Sequence, residues 1–508
     1  MWQIEHAKCE DFLKTLPENC IDSLVTDPPY GLSQFDTSDI IECLKCWLSG
    51  VPYHHSKKGF MSKKWDSFVP GPEIWQEIYR VMKPGAHGVV FAGTRTVDLM
   101  GISLRLAGFE VRDMVAWLYG QGFPKSLDIS KTLDKEYGAS RKIIGSKIGL
   151  PGYSLNPNIG HGIGMSGNID GSLRKPEKEC SITAPATDSA KQWDGWGTAL
   201  KPALEPILLI RKPISESTVA KNVLKWGTGG INIDSSRIEV NGEVVPVNKL
   251  ENWSGFGQEK RPDYEATENT KGRWPANVIL SYPEDIYILS DDITTETLFL
   301  GLLTKFIPNT KTITAATYVS LEPHLQKLFT VIPNEVTELF PQTKSGNKFH
   351  STSRIYGGNA LLPSKTMGNN TVYKGSSGSA ARFFYCAKTS PKEREVGLEN
   401  FEIISASECC EDRDPDSVGL DNPRAGAGRT QGHKNFHPTV KPISLMKYLI
   451  TLITLPNGVV LDPFVGSGST GCAAVQLPCD FLGLDIDSNY CDIAKVRIEY
   501  WEKNKCGE

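Results

Sequence analysis

Four consecutive residues, Asp27-Pro28-Pro29-Tyr30, set a carboxylate, two imino acids and a phenol ring side by side. The combination suits a flat ring that carries an amino group. Oxygens accept hydrogen bonds from the –NH2, and the aromatic face stacks on the ring. Each proline lacks an N–H and fixes its own φ, so the corner is rigid and strand pairing ends there. Gly31 then lets the chain turn away.

A second constellation lies far along the chain: Asp462-Pro463-Phe464-Val465-Gly466-Ser467-Gly468-Ser469-Thr470, with Asp485 after it. Glycines let a ligand approach the backbone closely, and an acid at the end of the next strand can grip ribose hydroxyls. The Lys-Ser/Thr pair of a phosphate-binding loop is missing. An acid at the loop entrance repels a pyrophosphate but welcomes a cationic amino group. These features point to S-adenosylmethionine, with its ammonium, sulfonium and ribose, over NAD or ATP.

Both sets belong at the carboxyl ends of strands, the edge where open α/β sheets hold their ligands. The flanking sequence supplies such strands. A short helix over 8–16 stops before Pro17, and 21–26 reads as the strand that delivers Asp27. A helix over 72–82 opens after Pro72 and stops at Lys83-Pro84-Gly85, ahead of a buried strand over 89–92. A helix over 97–107 and a strand over 111–117 follow. Strand and helix therefore alternate through 1–119, as in a parallel sheet with crossovers. The alternation resumes at 437, with a helix over 443–455, strands over 459–461 and 481–484, and a last helix over 489–503. Between them, 120–436 is rich in Gly, Pro, Asn, Ser and Lys. Short strands are predicted there at 206–210 and 276–280. Residues 151–192 and 406–434 read as loops or partly disordered segments, and the Thr- and Leu-rich stretch 291–332 reads as a small further insertion. The expected domains are thus 1–119, 120–436 and 437–508.

The totals set bounds. A chain of 508 residues with 39% hydrophobic and 22% charged residues is globular in composition. A net charge of −4 argues against indiscriminate coating of polyanions but permits a local basic cleft. Twelve irregularly spaced cysteines without a secretory leader read as reduced thiols of a soluble, cytoplasmic protein. No apolar run approaches the ~18–20 residues of a membrane span. Cys43-Leu44-Lys45-Cys46 with His54 and His55 lacks the ligand spacing of a zinc site, so no metal is expected.

The order of the two constellations, with His437-Pro438-Thr439-Val440-Lys441-Pro442 just before the second, resembles the amino-group DNA methyltransferases. More narrowly it resembles the β order, in which the catalytic motif precedes the cofactor motif and a target-recognition segment lies between. Lys63-Lys64-Trp65-Asp66, Gly93-Thr94-Arg95-Thr96, Gly122-Phe123-Pro124-Lys125-Ser126, Trp196-Gly197-Thr198-Ala199-Leu200-Lys201-Pro202 and Gly272-Arg273-Trp274-Pro275-Ala276-Asn277 are similar to modification methylases often carried by phages and prophages.

The resemblance implies a Rossmann-like, S-adenosylmethionine-dependent methyltransferase: a mostly parallel sheet flanked by helices, plus a large inserted target-recognition region. Asp27 and the Pro28 carbonyl would accept hydrogen bonds from the target amino group. Pro29 would hold the corner, and Tyr30 would stack on a base flipped out of the duplex. Asp462, Phe464, Gly466 and Gly468 would line the methionine part of the cofactor, Asp485 would hold its ribose, and Thr439 and Lys441 would sit beside its methionine end. The chain departs from the family where Ala7-Lys8-Cys9 replaces a Gly-Asp-Cys whose aspartate reaches the cofactor adenine.

The implied reaction is methyl transfer to the exocyclic amino group of a DNA base, adenine N6 ahead of cytosine N4 because the first motif residue is Asp. The partner is double-stranded DNA, with or without a companion restriction endonuclease, and the protein acts as a monomer or homodimer. Lys125, Lys131, Arg141, Lys142, Arg382 and Lys388 are candidate phosphate contacts, while Trp193, Trp196 and Trp274 read as core. The competing readings are a methyltransferase for RNA or a protein amide, and a non-catalytic DNA-binding relative.

Overall fold

The computed structural model describes residues 1–57, 59, 64–119, 126–149, 178–238, 272–282, 286–289, 312–314, 329–332, 342–344, 377–379, 385–388, 391–404 and 434–505. The chain divides into two compact units, 1–231 with 387–508, and 232–386.

The first unit opens with β1 (Trp2–His6), α1 (Cys9–Leu13), β2 (Ile21–Thr26), α2 (Thr37–Leu48), α3 (Pro72–Val81), β3 (Met82–Phe91), α4 (Val97–Leu106) and β4 (Glu110–Tyr119). It continues with α5 (Ile129–Glu136), a hairpin of β5 (Ile143–Gly149) and β6 (Lys178–Thr183), α6 (Asp188–Gln192), β7 (Leu204–Arg211) and α7 (Val219–Trp226). In the second unit, β8 (Val278–Tyr282) is followed by an antiparallel sheet in which β9 (Ile286–Leu289) pairs with β10 (Thr312–Thr314) and β11 (Phe329–Ile332). There β12 (Gln342–Lys344) pairs with β13 (Ser377–Ser379), and β14 (Tyr385–Lys388) straddles the boundary. The chain then returns to the first unit with α8 (Ile443–Ile453), β15 (Val459–Asp462), α9 (Ser469–Ala474), β16 (Asp480–Asp485) and α10 (Ser488–Lys503).

Within the first unit the strands lie in the order β1-β16-β15-β2-β3-β7-β4. Pairing is parallel from β1 to β3 and antiparallel where β7 meets β3 and β4. This is the mostly parallel α/β sheet the alternation predicts. Leu24 and Val25 point to opposite faces of β2 and both are fully buried, so helices cover the sheet on both sides. On one side Leu13, Trp75, Ile78, Met100 and Leu104 pack with Leu24, Val90, Leu208 and Leu461 in one cluster.

The two compact units divide after 231 and before 387, inside the stretch 120–436 expected as one insert, and β7, an apolar strand of that stretch, pairs on both sides with β3 and β4. Residues 178–192, read as loop, hold β6 and α6. In the stretch 291–332, expected as a small insertion, the strands β10 and β11 pair with β9, which precedes it. At Lys83-Pro84-Gly85 the helix does stop, but β3 already starts at Met82. The Pro84 carbonyl is satisfied by the Asn222 amide (2.7 Å) and the Thr228 hydroxyl (2.6 Å). Residues 406–433 lie outside the described residues. Among those described, no helix is long and apolar enough to cross a membrane.

Candidate active site

The register of β15 on β2 (Val460 opposite Ser23, Leu461 opposite Leu24) brings the ends of two distant segments together. Thr26, the last residue of β2, donates its hydroxyl to Asp462 Oδ1 at 2.7 Å. Asp27 follows, partly buried, then a buried Pro28 and half-buried Pro29 and Tyr30.

The corner is held by partners outside the motif. Asp66, in a single 3-10 turn over Lys64–Asp66 and 3% exposed, accepts from the backbone N–H groups of Tyr30 (2.9 Å), Gly31 (3.0 Å) and Leu32 (3.4 Å). Thr96 donates its hydroxyl to the Tyr30 carbonyl at 2.6 Å. Gly31 has φ +66°, and a Cβ there would stand 2.8 Å from the Val69 backbone nitrogen, so no other residue fits the turn.

Around the carboxylate, Lys441 Nζ donates to Asp27 Oδ2 at 2.6 Å and lies 3.4 Å from Glu205 Oε2. The Tyr30 hydroxyl lies 2.8 Å from Asp27 Oδ1 and 3.0 Å from Glu205 Oε2. Lys441 also sits 5.4 Å from the centre of the Tyr30 ring and 5.0 Å from that of Phe91, within cation–π range. Burial pushes its ammonium down, but the Asp27 and Glu205 carboxylates more than offset this and hold it above the ordinary lysine value. Burial and the same two carboxylates push the Tyr30 phenol well up.

The second segment supplies the rest of the pocket. Asp462 is 2% exposed, and its oxygens accept from Thr26, from the Thr470 hydroxyl (2.5 Å) and from Phe464 N (3.2 Å). Burial pushes its carboxyl up to about 7 against those donors. Gly466 (φ +50°) lies under the His437 ring, where an added Cβ would come within 2.6 Å of Nε2. Gly468 (φ +83°) starts α9 against the Ala494 backbone. Asp485, at the end of β16, accepts from Gly466 N (2.8 Å) and Asp487 N (2.9 Å), and burial raises it to about 6. His437 donates from Nδ1 to the Thr439 carbonyl at 2.6 Å and packs edge-on against Tyr490, and removal from water pushes it down to about 4. Arg394 fixes the Asn435 and His437 carbonyls, and the fully buried Arg497 of α10 donates to the Ser467 carbonyl.

An open concavity results, lined by Asp27, Thr439, Lys441, Asp462, Phe464 and Gly466 among others. Two segments more than four hundred residues apart thus face one space. Gly468, Asp485 and Tyr30 are not among the residues that line it. Lys441, placed by the motif beside the cofactor's methionine end, has its ammonium on the Asp27 carboxylate.

Sequence reasoning missed Glu205 and the anchoring role of Asp66. A charged residue at the head of the apolar run 206–210 was the available signal for the first. Of the candidate phosphate contacts, Arg141 is committed to Asp134 (2.6 Å), Ser130 and Thr183, and Lys131 pairs with Asp128. Lys125 and Arg382 lie outside the described residues. Trp193, Trp196 and Trp274 are not core: they are 38%, 60% and 65% exposed. Among the described residues, no cluster of His, Cys, Asp and Glu is arranged to hold a metal ion.

A family model of DNA methylases of the N6/N4 type matches residues 197–496, more than half of the chain. The type II methyltransferase M.HindIII of Haemophilus influenzae is 43% identical over 77 residues, 15% of this chain and 25% of its own. The type II methyltransferase M2.DpnII of Streptococcus pneumoniae is 44% identical over 63 residues, 12% of this chain and 24% of its own. The matched stretches therefore span about a quarter of these curated relatives. Among solved structures, the M1.HpyAVI–SAM complex aligns over 98% of this chain and all of the other, with a TM-score of 0.31 and 12% identity.

Proposed function

The chain belongs to the N6/N4 DNA methylase family, and from that premise we propose that it transfers a methyl group from S-adenosylmethionine to the exocyclic amino group of a base in double-stranded DNA. The observation that carries the reading is the shared pocket: the Asp27 carboxylate and the Gly466 loop line one space.

The residues present suit the cofactor. Asp27 puts negative charge beside a ligand with two positive centres, and Gly466 leaves room that a side chain would fill. Phe464, Gly466 and Thr439 would hold its methionine part, with Asp485 and Gly468 bracing the loop. When bound, it supplies an electrophilic methyl carbon on a sulfonium.

This chain's groups do the rest. The target amine is conjugated with its ring and is a poor nucleophile. Asp27 and the Pro28 carbonyl accept its hydrogens and favour a pyramidal nitrogen with a free lone pair. Positioning of this kind can contribute several kcal/mol. Tyr30 offers a stacking face that recovers part of the few kcal/mol needed to take a base out of the stack. Asp at the first motif position favours adenine N6 over cytosine N4.

A transfer assay with tritiated methyl donor on duplex DNA, RNA and protein tests the reading. Label in DNA is expected, and label only in RNA or protein overturns it. Methylation-sensitive sequencing of DNA from cells expressing the chain then identifies base and site together.

A further inference from the structure

Glu205 is a second carboxylate in the site, brought there because β7 runs antiparallel between β3 and β4 and so presents its first residues at the carboxyl ends of the parallel strands. The Tyr30 hydroxyl lies between Asp27 Oδ1 (2.8 Å) and Glu205 Oε2 (3.0 Å). A phenol has one hydrogen and donates it to one oxygen at a time. The other contact then opposes two acceptors, and one additional proton would complete it. The Lys441 ammonium is already engaged with Asp27 Oδ2 and Glu205 Oε2. The Tyr119 hydroxyl also hydrogen-bonds Glu205, yet the Tyr30 oxygen still faces one of its two acids without a hydrogen between them, and methylation of an amino group releases one hydrogen.

We propose that Glu205 is the acceptor for the proton shed by the methylated amine, reached from Asp27 through the Tyr30 hydroxyl. This rests on the methyl-transfer reading above. The nitrogen lone pair forms the bond to the methyl carbon, and the carbon–sulfur pair stays on sulfur. The nitrogen is left cationic with two hydrogens. One N–H bond breaks, its electron pair stays on nitrogen, and the proton passes to the Asp27 carboxylate. Asp27 gives a proton to the Tyr30 oxygen as the Tyr30 proton moves to Glu205. Asp27 ends ionised, Tyr30 neutral and Glu205 a carboxylic acid.

The phenol, held well above its ordinary range, exchanges protons without passing through a phenolate. The charged and titratable groups facing Glu205 are Asp27 and Tyr30 from the end of β2, Tyr119 from β4 and Lys441 from the segment before α8. Glu205 acts through Tyr30 and Asp27, so it is a positioning residue.

The test uses the full chain with Glu205→Gln, Glu205→Asp and Tyr30→Phe. Single-turnover transfer to duplex DNA is measured against pH, with cofactor and DNA binding measured separately. Infrared difference spectra follow protonated carboxyl during turnover. Glu205→Gln is expected to bind both ligands as wild type does and to transfer about 10²-fold more slowly at neutral pH. That deficit narrows as pH rises, because solvent hydroxide takes the proton. Glu205→Asp restores most of the rate, and Tyr30→Phe combined with Glu205→Gln is no slower than the slower single variant. The carboxylic acid band that grows in wild type is missing from Glu205→Gln.

A Glu205→Gln protein as fast as wild type at every pH overturns the proposal. So does a pH-independent deficit with the band retained. If Glu205→Gln does not fold, Glu205→Asp and Tyr30→Phe carry the same pH and infrared comparison. A wild-type protein that methylates no DNA overturns the functional reading itself, a result distinct from a wild type that transfers with Glu205→Gln as its equal.

Discussion

Asp27 and Asp462 stand at the ends of neighbouring parallel strands, each followed by proline, and their surroundings are opposite. Asp462 is 2% exposed and held by two threonine hydroxyls and a backbone N–H from its own loop. Asp27 is 16% exposed at its side chain, and its partners are the ends of two longer side chains, Lys441 and Tyr30. Fixed donors make a carboxylate part of the frame. Displaceable donors leave it able to receive a substrate. The same dipeptide at the same sheet edge is therefore enclosed by short fixed donors in one place and by the ends of long side chains in the other, and the difference is set by what the rest of the chain packs around it.

Exchange of each acid for its amide is the strongest way to break that contrast. Asp27→Asn is expected to slow methyl transfer by roughly 10²–10³, by analogy with loss of a donor aimed at developing charge. Its unfolding temperature should stay near that of wild type. Asp462→Asn keeps an oxygen for Thr26 and Phe464 and should leave the unfolding transition in place. Thermal unfolding and transfer rates on both proteins check the pair, and equal loss of activity without loss of fold would erase the distinction.

Removing the brace behind Asp27 sharpens it. Asp66→Ala leaves three backbone N–H groups without their acceptor. The expected cost is about 2–3 kcal/mol, seen by denaturant unfolding. Transfer should weaken with it, while cofactor affinity changes little because the Gly466 loop is held elsewhere.

The smallest effect is in pH. Asp462 titrates near 7 in the fold against an ordinary value of 3.8. The folded protein thus binds a proton that the unfolded chain has lost between those values, and the stability of the neutral form is lost as pH rises through about 7. From pH 6 to pH 8, wild type should lose on the order of 1 kcal/mol relative to Asp462→Asn. Asp485 near 6 and His437 near 4 are common to both proteins and cancel in the difference. Parallel pH curves for the two proteins would mean that Asp462 is not the titrating group.

What could be read without coordinates was local. Asp-Pro-Pro-Tyr, the glycine loop and the flanking strands declare themselves within a few residues, and β2 was placed to the residue. Glu205 and Asp66 escaped because their roles depend on non-local pairing. Nothing near position 205 says that β7 turns antiparallel between β3 and β4, and nothing near 66 says that its carboxylate reaches back to residues 30–32. Trp193 and Trp196 were misjudged because aromatic content alone does not tell a core from a surface, and the pair lies exposed with ring centres 5.0 Å apart.

The pairing of β2 with β15 and of β1 with β16 also bears on how the protein is made. As the nascent chain leaves the ribosome, β2 shows an uncovered edge until residues 459–462 emerge, and β1 has no strand partner until residues 480–485 follow. Non-local parallel pairing of this kind closes slowly and leaves strand edges open to wrong partners in the meantime. The pocket is therefore closed only once residues 459–485 have been made, and a message interrupted before them yields a chain with the acid of the first motif but no pocket in front of it.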